Sequence, residues 1–130
     1  MILGIGMDLC KISRVEATLH KFGDRFKKRC FTFNEINKCE RVNKSSDCYA
    51  KRFASKEAVS KALGTGFSQG VYWKDIEIIN TKSGKPKVVL NGNAKKILID
   101  MIPEDKDYSI SITITDEAGL AQALVIIEAT

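Results

Sequence analysis

The stretch Arg52–Gly66, "RFASKEAVSKALGTG", constrains this 130-residue chain more than any other. It reads as the end of a helix running into a glycine turn, with Gly64 as C-cap. On a wheel of ~100° per residue, Ala50, Phe53 and Ala54 define a small apolar face. Glu57 and Lys61 fall within about 40° of Ala54, inside the same stripe. An unpaired buried carboxylate is costly, so Glu57 must be paired, bound to a metal ion, or lining a wet cleft.

Around this helix the chain reads as alternating local signals. Ile2 to Leu9 is a buried strand carrying Asp8 at its end. Ser13 with Glu16 forms a capping box, Val15, Leu19 and Phe22 recur at helical spacing, and Gly23 stops the helix. Thr32 with Glu35 starts a second, short helix. The long helix runs from about Asp47 to Leu63. "WKDIEII" alternates as a strand, "TKSGKP" is a turn and "KVVL" pairs back. "GNAKKILIDMI" is a helix ended by Pro103, and "YSISITIT" and "LAQALVIIEA" are strands joined around Asp116 to Gly119. The expectation is a single domain over residues 1–130 with an α+β fold. Helices pack on a mixed or antiparallel sheet of about four or five strands.

Composition narrows the class. The chain is 44% hydrophobic and 28% charged, as in globular domains. No run approaches the ~18 to 20 apolar residues of a membrane span, and the apolar start "MILGIGMDLC" has no basic leader. The four cysteines, Cys10, Cys30, Cys39 and Cys48, form no CxxC pair, and His20 is the one histidine. That argues against a zinc site and for reduced, structural cysteines in a cytoplasmic protein. The net charge of +5 suits an acidic partner (nucleic acid, an anionic surface or an acidic protein) or a solubilising surface alone.

Two carboxylates stand out. Asp8 is either a strand-end or capping residue, or a hard-cation ligand on a rigid strand. Mg²⁺ is typically bound by one or two carboxylates plus waters and substrate phosphates, which would recruit Glu57 as well. Glu57 otherwise forms an i,i+4 pair with Lys61, worth only ~0.3 to 0.5 kcal/mol. Gly64 to Gly66 let backbone approach a ligand, but they end a helix rather than open one, so they form neither a P-loop nor a dinucleotide fingerprint.

"GIGMDL", "FTFNE", "YAKRFASKEAVSKALGTG", "WKDIEI", "GKP" and "SITITDEAGLAQALVIIE" together, in this order, resemble the holo-[acyl-carrier-protein] synthases, the small bacterial 4′-phosphopantetheinyl transferases. "RFASKEAVSKALGTG" is the most specific of these. The resemblance implies transfer of the phosphopantetheine arm of coenzyme A to a serine of an apo acyl carrier protein, releasing adenosine 3′,5′-bisphosphate. It implies Mg²⁺ at Asp8 and Glu57, and homotrimers with a site at each subunit interface. Family motifs place Arg52, Lys61, Gly64, Thr65, Gly66, Lys85, Pro86, Thr113 and Thr115 along coenzyme A. Glu57, directly or through water, is the expected proton acceptor, and Lys61 a point charge for phosphate. A basic first helix docks the acidic carrier in this family, here through Arg14, Lys21, Arg25 and Lys28. The chain departs from the family at Ser111, where a histidine is common. The competing reading, a basic nucleic-acid-binding domain, lacks aromatic stacking strands and a helix-turn-helix signature, so neither nucleic acid nor membrane is an expected partner.

Overall fold

In the computed structural model, which describes residues 1–130, strand β1 (Ile2–Lys11) lies against the longest helix through two missing side chains. A Cβ on Gly6 would sit 1.8 Å from the Ala58 carbonyl oxygen, and one on Gly4 would sit 2.0 Å from that of Ala62. Glycine at both positions lets strand and helix backbones touch. The helix answers with its own small residues, Ala54, Ala58 and Ala62, at i,i+4 spacing.

The chain runs β1, α1 (Ile12–Phe22), α2 (Asp24–Cys30), α3 (Phe33–Glu40) and α4 (Ser45–Leu63). A 3₁₀ turn at Trp73–Asp75, the hairpin β2 (Ile76–Asn80) and β3 (Pro86–Leu90), α5 (Gly92–Met101), β4 (Tyr108–Glu117) and β5 (Leu120–Ala129) follow. Antiparallel pairing gives a three-stranded sheet of order β1-β5-β4 and a separate two-stranded sheet, β2-β3. The fold is α+β, as expected, but its five strands divide between two sheets. β3 lies beside β4 without a ladder between them.

Local signals placed most boundaries. The Thr32–Glu35 capping box forms, and α4 ends at Gly64 in the left-handed region, φ 81°. Two expectations change. Ser13 lies inside α1, whose N-cap is Lys11 without a side-chain bond, so there is no capping box. "WKD" coils into the 3₁₀ turn because Asp75 bonds back to the Tyr72 amide, and the strand begins only at Ile76.

Two hydrophobic clusters flank α4. The larger joins Ala58, Val59 and Ala62 to Ile76, Ile78, Leu98, Val125 and Ile127. The smaller joins Val15, Phe31, Cys39 and Tyr49 under α1 to α3. Between them lies a buried ion pair: Lys56 Nζ is 2.6 Å from Glu35 Oε1, and both side chains are fully buried. Glu35 also accepts from the Thr32 and Ile78 amides, and Lys56 donates to the Trp73 carbonyl. Burial lowers the Lys56 pKa, opposed by the Glu35 carboxylate.

The cysteines also depart from expectation. Cys39 and Cys48 form a disulfide between the end of α3 and the start of α4; Cys10 and Cys30 are free. Sequence spacing gave no sign of it, because the pairing depends on how α3 folds back on α4.

Candidate active site

Asp8, Glu57 and Lys61 meet at the free edge of β1. Lys61 Nζ lies 3.1 Å from Asp8 Oδ1 and donates to the Met7 carbonyl at 3.0 Å. Asp8 sits near the end of a strand fixed by its ladder with β5, where it pairs with Ala123. Glu57 and Lys61 project from one edge of α4, a turn apart. Glu57 is half-buried and its carboxylate makes no side-chain hydrogen bond or ion pair. Burial raises its pKa, the Asp8 charge adds to the rise, and Lys61 opposes it.

The wheel placed Glu57 and Lys61 inside the buried stripe; they stand at its margin, Lys61 with an exposed side chain. α4 is covered on nearly all sides, so no single stripe describes it, and the charges it truly buries are Arg52 and Lys56.

Arg52 lies on the opposite flank of α4. Nine residues separate it from Lys61, about half a turn of the wheel at 100° per residue. Its Nη2 donates to Asn80 Oδ1 at 2.9 Å and its Nη1 to Cys48 Sγ at 3.3 Å. The buried Nε has no partner. Burial lowers this guanidinium's pKa, and Glu35 counters it. Arg52 lines a cleft of about 810 Å³ with Lys38, Lys44, Asn80, Lys82 and Pro86, opposite Ile114 and Asp116 of β4. Asn80, Lys38 and Lys44 were not anticipated. They come from distant stretches, and no local pattern marks them.

The residues expected along coenzyme A therefore divide into three places. Lys61 lies with Asp8 and Glu57 on the β1 side, and Gly64–Gly66 follow at the C-terminal end of α4; Arg52, Lys85 and Pro86 lie at the β2–β3 side. Thr113 and Thr115 are exposed on the outer face of β4, in register with Leu124 and Gln122 and, beyond them, with Met7 and Leu9 of β1. Ser111 shares that face. Ile5, Met7 and Leu9 leave it apolar, at 59%, 54% and 56% exposure. Such a patch marks an interaction surface.

Arg14 and Lys21 on α1, and Arg25 and Lys28 on α2, are all solvent-accessible. Gly23 ends α1 as expected, so Arg25 and Lys28, expected on the first helix, lie on α2 instead. Arg25 and Arg29 rim an apolar groove of about 380 Å³ containing Phe22, Phe26, Phe53 and Trp73. Phe53 is one turn before Glu57 on α4.

Asp8 and Glu57 offer carboxylate oxygens, the donor type that suits a hard cation. No helix is long and apolar enough to cross a membrane.

Comparison with known proteins gives a consistent picture. The family model described as the 4′-phosphopantetheinyl transferase superfamily matches residues 4–113. A holo-[acyl-carrier-protein] synthase of Methylorubrum extorquens is 54% identical over 129 residues, covering 99% of this chain and 95% of that one. The crystal structure of holo-[acyl-carrier-protein] synthase from Neisseria meningitidis superposes with a TM-score of 0.86 at 33% identity, covering 98% of this chain and 99% of that one. The Helicobacter pylori holo-[acyl-carrier-protein] synthase, solved in complex with coenzyme A, gives 0.80 at 31% identity, covering 95% and 99%.

Proposed function

The chain belongs to the 4′-phosphopantetheinyl transferase superfamily, as a holo-[acyl-carrier-protein] synthase, and from that premise we propose how it works. It moves the 4′-phosphopantetheine group from coenzyme A to the hydroxyl of a serine on an apo acyl carrier protein. Adenosine 3′,5′-bisphosphate leaves, and Mg²⁺ is required. The observation that carries the reading is the cluster of Asp8, Glu57 and Lys61 at an accessible strand edge.

Asp8 and Glu57 would hold Mg²⁺, which when bound neutralises charge on the pyrophosphate. The chain's own residues do the rest. Glu57, directly or through water, takes the proton of the attacking serine hydroxyl. Lys61 places an ammonium beside the phosphate oxygens where negative charge builds up. Arg52, with Lys85, makes charge-assisted bonds to phosphates, while Pro86, Gly64 to Gly66, Thr113 and Thr115 shape the remainder of the coenzyme A site. Arg14, Lys21, Arg25 and Lys28 dock the acidic carrier, Arg25 from the rim of the groove that holds Phe53. The carrier and coenzyme A meet the enzyme in the cytoplasm.

Two features support a homotrimer. The outer sheet face exposes Ile5, Met7 and Leu9, and the parts of the coenzyme A site lie on opposite flanks of α4. One copy's Glu57 flank and a neighbour's Arg52 flank make one site, and a cyclic assembly supplies that contact to each subunit.

The test is intact mass spectrometry of an apo carrier incubated with this protein and coenzyme A. A gain of one phosphopantetheine arm that requires Mg²⁺ is the expected result. No gain on a competent carrier, with folded protein and Mg²⁺ present, overturns the reading.

A further inference from the structure

Cys39, at the end of α3, and Cys48, near the start of α4, are joined across nine residues and close the loop that carries Lys44. Cys48 and Lys44 line the cleft of Arg52 and Asn80. The Cys48 sulfur accepts the 3.3 Å hydrogen bond from Arg52 Nη1. A disulfide and the one buried guanidinium of a cationic cleft are thus in direct contact.

We propose that Cys39–Cys48 is a redox modification site that sets the affinity of the Arg52 cleft for a nucleotide phosphate, high when the disulfide is closed and low when it is reduced. The inference rests on the reading of Arg52 as a coenzyme A phosphate ligand. Two effects act in the same direction. With the bond closed, α3 is tied to α4, Lys44 stays at the cleft, and the Cys48 sulfur is an uncharged acceptor that leaves the guanidinium charge to the ligand. Reduction frees the 41–44 loop. It also puts a thiol beside an arginine, a setting that favours thiolate, and a thiolate would compete with the ligand for Arg52.

The chemistry is thiol–disulfide exchange with a dithiol reductant. One reductant thiolate attacks the Cys48 sulfur from the cleft, and Cys39 leaves as a thiolate that takes up a proton. The second reductant thiol then displaces Cys48, which stays a thiolate beside Arg52. Two electrons and one proton pass to the protein, the other proton goes to solvent, and the reductant leaves as its own disulfide. Cysteine pairs of this kind in reducing compartments are usually transient and sensing.

The test uses the full chain and adenosine 3′,5′-bisphosphate, which has no thiol of its own, by isothermal titration calorimetry. Protein oxidised with glutathione disulfide is compared with protein reduced by dithiothreitol, and alkylation with intact mass counts the thiols in each. The oxidised form should bind about tenfold more tightly, the effect of one charge-assisted contact. C39S/C48S, checked for folding by circular dichroism, lacks both the bond and the thiolate, so it should ignore dithiothreitol and bind between the two wild-type forms. Should that variant fail to fold, the wild-type comparison decides alone. Equal affinities for the two wild-type forms, or failure of the Cys39–Cys48 bond to form under oxidation, overturn the switch and leave the coenzyme A reading standing. Binding to neither form overturns that reading, and the switch with it.

Discussion

Glu57 stands between charges of opposite sign, with Asp8 raising its proton affinity and Lys61 opposing that. Glu57→Gln keeps the shape and removes both the charge and the basicity. Turnover should fall at least about 100-fold, with the melting temperature unchanged or slightly raised, since burial of a charge is relieved. Activity within a few-fold of wild type would remove Glu57 from the reaction. At this scale the sequence was informative about identity and poor about surroundings. Asp8, Glu57 and Lys61 could be picked out because one strand and one helix carry them, and their meeting needs only those two elements to pack. Arg52 could be named from its motif, but its partners could not. Asn80 reaches it through tertiary folding, as does the carbonyl of Trp73 that meets Lys56, whereas Cys48 is its i,i+4 neighbour on α4.

Among elements, α4 and β1 decide the most. Gly6→Ala would drive a methyl group to within 1.8 Å of the Ala58 carbonyl unless the helix moved away. The displaced helix would carry Glu57 from Asp8, so the variant should lose both stability, by about 1–3 kcal/mol or more, and turnover. Thermal melts and the mass-gain assay read the two effects. The Glu35–Lys56 pair ties α3, α4, β2 and the 3₁₀ turn together. Lys56→Met strands a buried carboxylate and should cost about 3–5 kcal/mol, whereas E35L/K56M should recover much of that loss. If the single variant is as stable as wild type, the pair does not hold these elements. Helix ends were readable because capping chemistry is local, as at Thr32, Glu35 and Gly64. The division of the strands into two sheets was not, since ladder partners are chosen by residues far apart in the chain.

At the scale of the whole molecule, the proposed function assigns the carrier and coenzyme A to separate surfaces. Arg14→Glu on the exposed face of α1 should raise the carrier KM several-fold while changing coenzyme A affinity little, and added salt should shrink the difference. Equal effects on both ligands would argue against docking there. Net charge pointed to an acidic partner without saying which; of the four proposed docking residues, all exposed, Arg25 lines the apolar groove together with Arg29.

The placing of Glu57 and Arg52 on opposite flanks of one helix has a genetic reading. If each site draws one flank from each of two neighbours, damage to the flanks is complementable. A chain with Glu57→Gln and a chain with Arg52→Ala should each be inactive alone. Co-expressed and randomly assembled in equal amounts, they should place an intact Glu57 flank against an intact Arg52 flank at about a quarter of the interfaces. Two dead alleles would then sustain one living function, at about a quarter of wild-type turnover, whereas a self-contained protomer would leave the mixture as silent as its parts.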